Sequence, residues 1–181
     1  MKLFKLKVEY GEYCLFLRLA NTPQVWGDEF FEGTPRKDDY PVPKGERDHD
    51  TEAGPLPDFT HFDLDPIPTF SARARDVLDD LLSPYGEFAA IEMDEPMRYF
   101  AFNTTTIVDV LDEARSEIAR FRSGGVMAVD KHILLGSVTA LPPIFKMPQT
   151  RRNTTYVNER FVAEVQRHRL SGFGFDLLFE R

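Results

Sequence analysis

Phe70-Ser71-Ala72-Arg73-Ala74-Arg75-Asp76-Val77-Leu78-Asp79-Asp80-Leu81-Leu82 is the stretch around which the rest of the chain arranges itself. Ser71 is a good helix N-cap, because its hydroxyl can accept from the unpaired amides of the first turn. Ala74, Val77, Leu78, Leu81 and Leu82 recur at helical spacing and draw one apolar stripe. Ser83-Pro84-Tyr85-Gly86 ends the helix, since proline cannot continue the hydrogen-bond ladder and glycine permits the exit turn. Phe88 to Met93 follows as an apolar run short enough for a strand.

The same order of signals returns near the C-terminus. Asn158 is placed as a second N-cap, Phe161, Val162 and Val165 make an apolar side, and Leu170-Ser171-Gly172 closes the helix. Phe173 to Phe179 then reads as the last strand. Superposing Ser71 on Asn158 sets Phe70 on Val157, Arg73 on Arg160 and Leu78 on Val165. This is a weak internal repeat of one supersecondary unit, too short for a solenoid. The two helices are expected over Ser71–Leu82 and Asn158–Arg169, packed on one sheet through Leu78 and Val165.

Outward from these units, Leu3 to Tyr10 alternates as a strand, with Phe4, Leu6 and Val8 on one face and lysines between. Gly11-Glu12 reads as a turn into a second strand, Tyr13 to Leu19, making an N-terminal hairpin within residues 1–25. Residues 32–58 carry Pro35, Pro41, Pro43, Pro55 and Pro57 amid charged residues, with little to bury, and read as an exposed acidic loop. Met97 to Phe102 is a further strand ending at Asn103, and Ile107 to Asp112 alternates well. Ser116 to Arg122 fits a helical turn or a strand. Ser123-Gly124-Gly125 signals a tight turn, Val126 to Leu135 is strand-like, and Ile144 to Met147 is a short strand after Pro142-Pro143. Many strands and two helices predict a single α+β domain over 1–181, with a twisted, mostly antiparallel sheet.

The composition agrees, with 42% hydrophobic and 29% charged residues among 181, enough for a packed core. A net charge of −8 argues against binding nucleic acid by neutralising phosphates. The single cysteine, Cys14, lies in an apolar run and is expected to be a buried thiol. The opening residues alternate charge and apolar side chains rather than forming a leader, and no apolar run approaches a membrane span. The expected location is the cytoplasm.

Catalytic signals are thin. There is no phosphate-binding glycine motif and no nucleophile elbow. Gly172-Phe173-Gly174 follows a helix and lacks the third glycine of a dinucleotide fingerprint. His49, His61, His132 and His168 have no second ligand at metal-binding spacing, and Asp48-His49-Asp50-Thr51-Glu52 lacks the glycine of a calcium loop. No metal or cofactor is expected. Asp109, Asp112 and Glu113 form a compact carboxylate group, the kind that works as acid and base when burial splits the pKa values.

The ordered set of residues resembles a bacterial immunity-protein family of polymorphic toxin systems, named after a Myxococcus immunity protein and formerly catalogued as a domain of unknown function. The residues that carry it are Trp26, Leu56-Pro57-Asp58-Phe59, Phe70-Ser71 through Val77-Leu78, and Glu87-Phe88. They continue through Tyr99-Phe100-Ala101-Phe102-Asn103, Val108 to Asp112, Ser116, Ile144-Phe145-Lys146, and Val157-Asn158 to Phe173. The resemblance spans about residues 26 to 178 and implies a non-enzymatic protein that binds and neutralises a cognate protein toxin. Two other readings stand beside it: a small enzyme using the Asp109/Asp112 cluster, and an adaptor taking a peptide on a free sheet edge. For toxin binding, the expected residues are Asp38, Asp39, Tyr40, Asp48, Asp50 and Glu52 in the acidic loop, with Asp94 and Glu95 as a second patch. Acidic side chains would steer a basic partner, and Tyr40 would supply an aromatic anchor.

Overall fold

In the computed structural model, residues 1–9, 17–19, 33–35, 42–47, 55–62, 67–93, 98–151 and 154–181 are described. Cys14, Trp26 and all eight expected toxin-binding residues lie outside them. The strands are β1 (Lys2–Val8), β2 (Leu17–Leu19), β3 (Lys44–Arg47), β4 (Phe59–Phe62), β5 (Ile67–Ser71), β6 (Gly86–Met93) and β7 (Tyr99–Thr104). They continue with β8 (Glu117–Arg120), β9 (Val126–Lys131), β10 (Ile144–Phe145), β11 (Tyr156–Asn158) and β12 (Phe173–Glu180). The helices are α1 (Ala72–Leu82) and α2 (Glu159–Arg167).

Both helices start where the caps place them. The Ser71 hydroxyl accepts from the Ala74 amide at 3.1 Å, and the Asn158 side-chain oxygen accepts from the Arg160 and Phe161 amides at 2.9 and 3.1 Å. α2 is shorter than expected, ending at Arg167, because Arg169 already stands in the left-handed region at φ 51°; the chain then turns through Gly172 at φ 82° to enter β12. A Cβ at that glycine would run into the Phe59 carbonyl and Pro57, so the position needs glycine for space as well as conformation.

The strands form a four-stranded sheet, β10-β11-β1-β12, a curled sheet, β2-β3-β6-β7-β5-β4, that closes on itself, and the β8–β9 hairpin. All pairs of the four-stranded sheet are antiparallel. The curled sheet is mixed, with β3–β6 and β2–β4 parallel. The domain is α+β, and the single sheet of the expectation is resolved into these parts. One core lies between the two larger sheets: Ala74, Leu78 and Leu82 of α1 and Phe161 and Val165 of α2 meet Leu6, Val157, Phe70 and Phe102. Leu78 and Val165 therefore share a core, as the repeat predicts, but each sheet supplies part of it. A second cluster, including Leu3, Leu111, Leu134, Phe145 and Tyr156, covers the opposite face of the four-stranded sheet.

Four expectations are corrected. β1 pairs with β11 on one edge and β12 on the other, while β2 belongs to the curled sheet, so these strands do not form a 1–25 hairpin. Leu3 and Leu6 are buried on opposite faces of β1, and both of its edges are hydrogen-bonded, which leaves no edge for β2. Within 32–58 the described residues include β3, held between β2 and β6, so the segment is not loop throughout. Its described residues are divided: Gly33, Pro43, Gly45, Pro57 and Asp58 are buried, while Thr34, Pro35, Val42, Lys44, Pro55 and Leu56 are exposed. Ile107 to Asp112 contributes only isolated bridges, Ile107 to Lys146 and Leu111 to Leu134, because Val110 and Leu111 are both buried and the alternation breaks there. The strand expected over Val126–Leu135 ends at Lys131, and within Ser116–Arg122, where helical turn and strand both stood open, Glu117–Arg120 is a strand.

Burial also sets an acid response. His61 sits edge-on to Phe59, ring centroids 5.7 Å apart, and burial, aided by the Lys5 charge, lowers its pKa to about 4. Between that value and the ordinary 6.5 the unfolded chain binds a proton that the native chain does not. Stability is therefore lost as pH falls. Moving from pH 7 to pH 5 should cost about 2 kcal/mol from this residue. Urea melts of the wild type and His61→Gln at both pH values test it; a wild-type loss no larger than the variant's would refute it.

Candidate functional site

The outer face of the four-stranded sheet is built from the alternation of β1. Phe4, Leu6 and Val8 turn toward the helices, which sends Lys5 and Lys7 to the other side. Register sets Lys5 opposite Tyr156 on β11 and opposite Asp176 on β12. Lys7 stands opposite Gly174, where a Cβ would press against the Lys7 side chain. With that space open, Lys7 reaches Asp176 at 2.6 Å. The hydrogen bond that Lys7 donates to Asp176 raises the Lys7 pKa, burial opposes the shift, and the Asp176 and Glu9 charges add to it. Asp176 is thus committed to Lys7.

A cleft of about 660 Å3 opens above this face. Its floor includes Lys5, Tyr156 and Leu178, and its roof is Phe121 and Gly125 to Val129 of the β8–β9 hairpin, with Gln149, Thr150, Arg151 and Thr154 contributing one wall. The Tyr156 hydroxyl lies 2.8 Å from the Thr150 hydroxyl and 3.4 Å from His132 Nε2. Burial raises the Tyr156 pKa against the lowering effect of the Thr150 and Thr154 hydroxyls. Burial, then the Lys5 charge, lowers that of His132. At neutral pH the floor therefore holds a neutral phenol, a neutral imidazole and the lysine that repels a second positive charge there. Phe121 and Met127 on the roof are 55% and 52% exposed.

The carboxylate group stands beside this wall and is assembled differently from the Asp109/Asp112 pairing. Gln149 Nε2 donates to Asp109 at 3.0 Å and to Glu113 at 2.9 Å, while Asp112 lies 3.8 Å from Arg115. Donating twice turns the Gln149 carbonyl oxygen inward, where it is buried without a hydrogen-bond partner. Arg120 adds a 2.7 Å pair with Glu113. The Glu113 pKa is lowered, first by the Gln149 hydrogen bond, which is opposite to what a general acid needs. Among the described residues, no group of three or more His, Cys, Asp or Glu side chains is placed to hold a metal ion.

A second polar centre was not singled out from the sequence beyond its place in the Leu56–Phe59 lead-in. Asp58, 7% exposed, accepts from the Ser71 hydroxyl at 2.9 Å, Arg73 at 2.6 Å and the Ser171 amide at 3.0 Å. Arg73 also donates to the His168 carbonyl at 2.7 Å. One carboxylate thereby joins the start of α1 to the turn after α2. The available signal was an acid wedged between Pro57 and Phe59, followed by a serine cap and an arginine two residues apart.

The eight acidic and aromatic residues expected to bind a toxin cannot be placed, but the strands beside them can. β3 ends at Arg47, one residue before Asp48, and β6 ends at Met93, one residue before Asp94. The two strands are parallel neighbours, with Lys44 opposite Glu92 and Gly45 opposite Met93. The described chain therefore leaves both strands in the same direction. No helix among the described residues is long and apolar enough to cross a membrane. No protein-family model matches the chain, and no curated protein matches it.

Proposed function

We propose that this protein is an immunity protein that binds a cognate protein toxin and neutralises it by occlusion, without chemistry of its own. The observation that supports this most is the parallel pairing of β3 with β6. The acidic stretches with Asp48, Asp50 and Glu52 and with Asp94 and Glu95 follow these two parallel neighbours in sequence, which supports treating them as one proposed face. A net charge of −8 suits a partner with a basic surface, such as a toxin that acts on nucleic acid or membranes. Asp38, Asp39 and Tyr40 are included in the proposal on their charge and aromatic character alone. The protein would act where the toxin is made or arrives, in the cytoplasm.

The test is binding to the toxin encoded beside this protein, comparing the wild type with a variant in which Asp38, Asp39, Asp48 and Asp50 are all asparagine. Surface charges act mainly on encounter, so the association rate should fall by about tenfold at low salt, with a shallower salt dependence. An unchanged rate would move the interface elsewhere. A specific observation favours the adaptor reading as the alternative. β12 is an edge strand of eight residues paired only with β1 among the described residues, and Leu177 on it is 52% exposed. Proline at Leu177 would block strand addition there. Toxin binding lost in that variant but retained in the asparagine variant would select the adaptor reading.

A further inference from the structure

The cleft over the four-stranded sheet is distant in role from the proposed toxin face and has its own chemistry. Three features define it. Its volume, about 660 Å3, lies within the range of small-molecule sites. Its floor carries one uncompensated cation: Lys5 has no ion-pair partner among the described residues, because the acid directly opposite it, Asp176, is taken by Lys7 at 2.6 Å. Beside that cation stand two hydroxyls, Tyr156 and Thr150, 2.8 Å apart, one of which can turn its proton outward. The rest of the lining is mixed: Met127 and Val129 on the hairpin and Leu178 on β12 are apolar, while Gln149, Arg151, Thr154 and Asp176 are polar or charged.

We propose that this cleft binds a small organic carboxylate with an apolar body, the carboxylate on Lys5 and the Thr150/Tyr156 hydroxyls and the body beneath Met127 and Val129. The charge distribution selects the sign of the ligand. A cation would meet the Lys5 charge, whereas an anion is attracted to it and offsets the Lys5 repulsion that adds to burial in lowering the neighbouring His132 pKa. The other charges near the floor do not supply the missing anion: Asp176 is paired with Lys7, and Glu113 and Asp109 are held by Gln149. The apolar lining selects against a bare anion such as acetate or phosphate, which would leave Met127 and Val129 facing water.

Calorimetric titration of the purified protein with 3-phenylpropionate, its neutral amide, acetate and inorganic phosphate tests the proposal, together with an NMR titration of His132 assigned with His132→Gln. The expected result is saturable binding of 3-phenylpropionate at least about tenfold tighter than each of the other three. Its saturation should move the His132 midpoint upward. Lys5→Gln should weaken binding by at least about tenfold and raise the His132 midpoint in the free protein. Lys5→Arg should retain binding. Lys5 is exposed on the sheet surface, so an unchanged melting temperature in both variants serves as the folding control. Three outcomes would each overturn the proposal: no heat up to about 10 mM ligand, the amide or acetate binding as well as 3-phenylpropionate, or Lys5→Gln leaving affinity unchanged. None of these measurements involves the toxin, so the result is independent of the proposed function.

Discussion

Asp58→Ala should lower the unfolding free energy by about 3–5 kcal/mol, towards the smaller figure because the Arg73 side chain is half exposed. The carboxylate is buried and accepts three short hydrogen bonds, from Ser71, Arg73 and the Ser171 amide. Removing it leaves the part-buried Ser171 amide without that acceptor and releases Arg73 from the start of α1. Each buried donor left without a partner costs about 1–3 kcal/mol. The effect should also be non-local. Asp58 joins residues 113 positions apart in sequence, and the Phe59 amide and Ser171 carbonyl bond next to it at 3.1 Å. Urea unfolding of Asp58→Ala, Arg73→Ala and the double variant measures both parts. Coupling between the two sites well below the Asp58 loss is expected, since Ser71 and Ser171 share the carboxylate. A loss under about 1 kcal/mol would show that water replaces these contacts.

Leu78→Ala should cost about 2–5 kcal/mol. Leu78 is 0% exposed and sits in the core that both larger sheets and both helices line. Neighbours on two sheets cannot all move inward together, so the vacated space is expected to persist. The cost should therefore fall in the upper half of that range. Leu78→Met, which nearly conserves volume, should lose less than about 1.5 kcal/mol. Equal losses for the two variants in denaturant melts would mean that the site does not behave as a packed core position.

The local features of the chain were readable because they rest on short-range chemistry. Ser71 and Asn158 cap their helices through side-chain oxygens only two or three residues from the amides they meet. The stripe from Ala74 to Leu82 needs nothing but helical periodicity to declare its buried side. Gly172 combines a helix end with a positive φ, and its position before an apolar run already indicates a turn into a strand. Where the sequence misled, the deciding partner was far away. Gly11-Glu12 has the look of a hairpin turn, yet the edges of β1 are taken by β11 and β12. Nothing in residues 2–8 distinguishes a neighbour ten residues on from one more than 150 residues on.

The candidate sites show the same division more sharply. Asp109 and Glu113 are close in sequence, but it is Gln149 that unites them, and Asp112 turns to Arg115 instead. Lys5 and Lys7 are equivalent in the pattern of β1. Only the register against β12, with Gly174 facing Lys7 and Asp176 within its reach, makes one a paired surface lysine and leaves the other alone in a cleft. By itself the sequence determined the α+β class, the two capped helices, the apolar faces and the overall negative charge, all of which follow from residue type and spacing of a few positions. Tertiary structure alone decided sheet membership, the burial of Asp58 and the lack of an ion-pair partner for Lys5 among the described residues. Those depend on which distant strand lies alongside, and backbone hydrogen bonding is the same for every candidate neighbour.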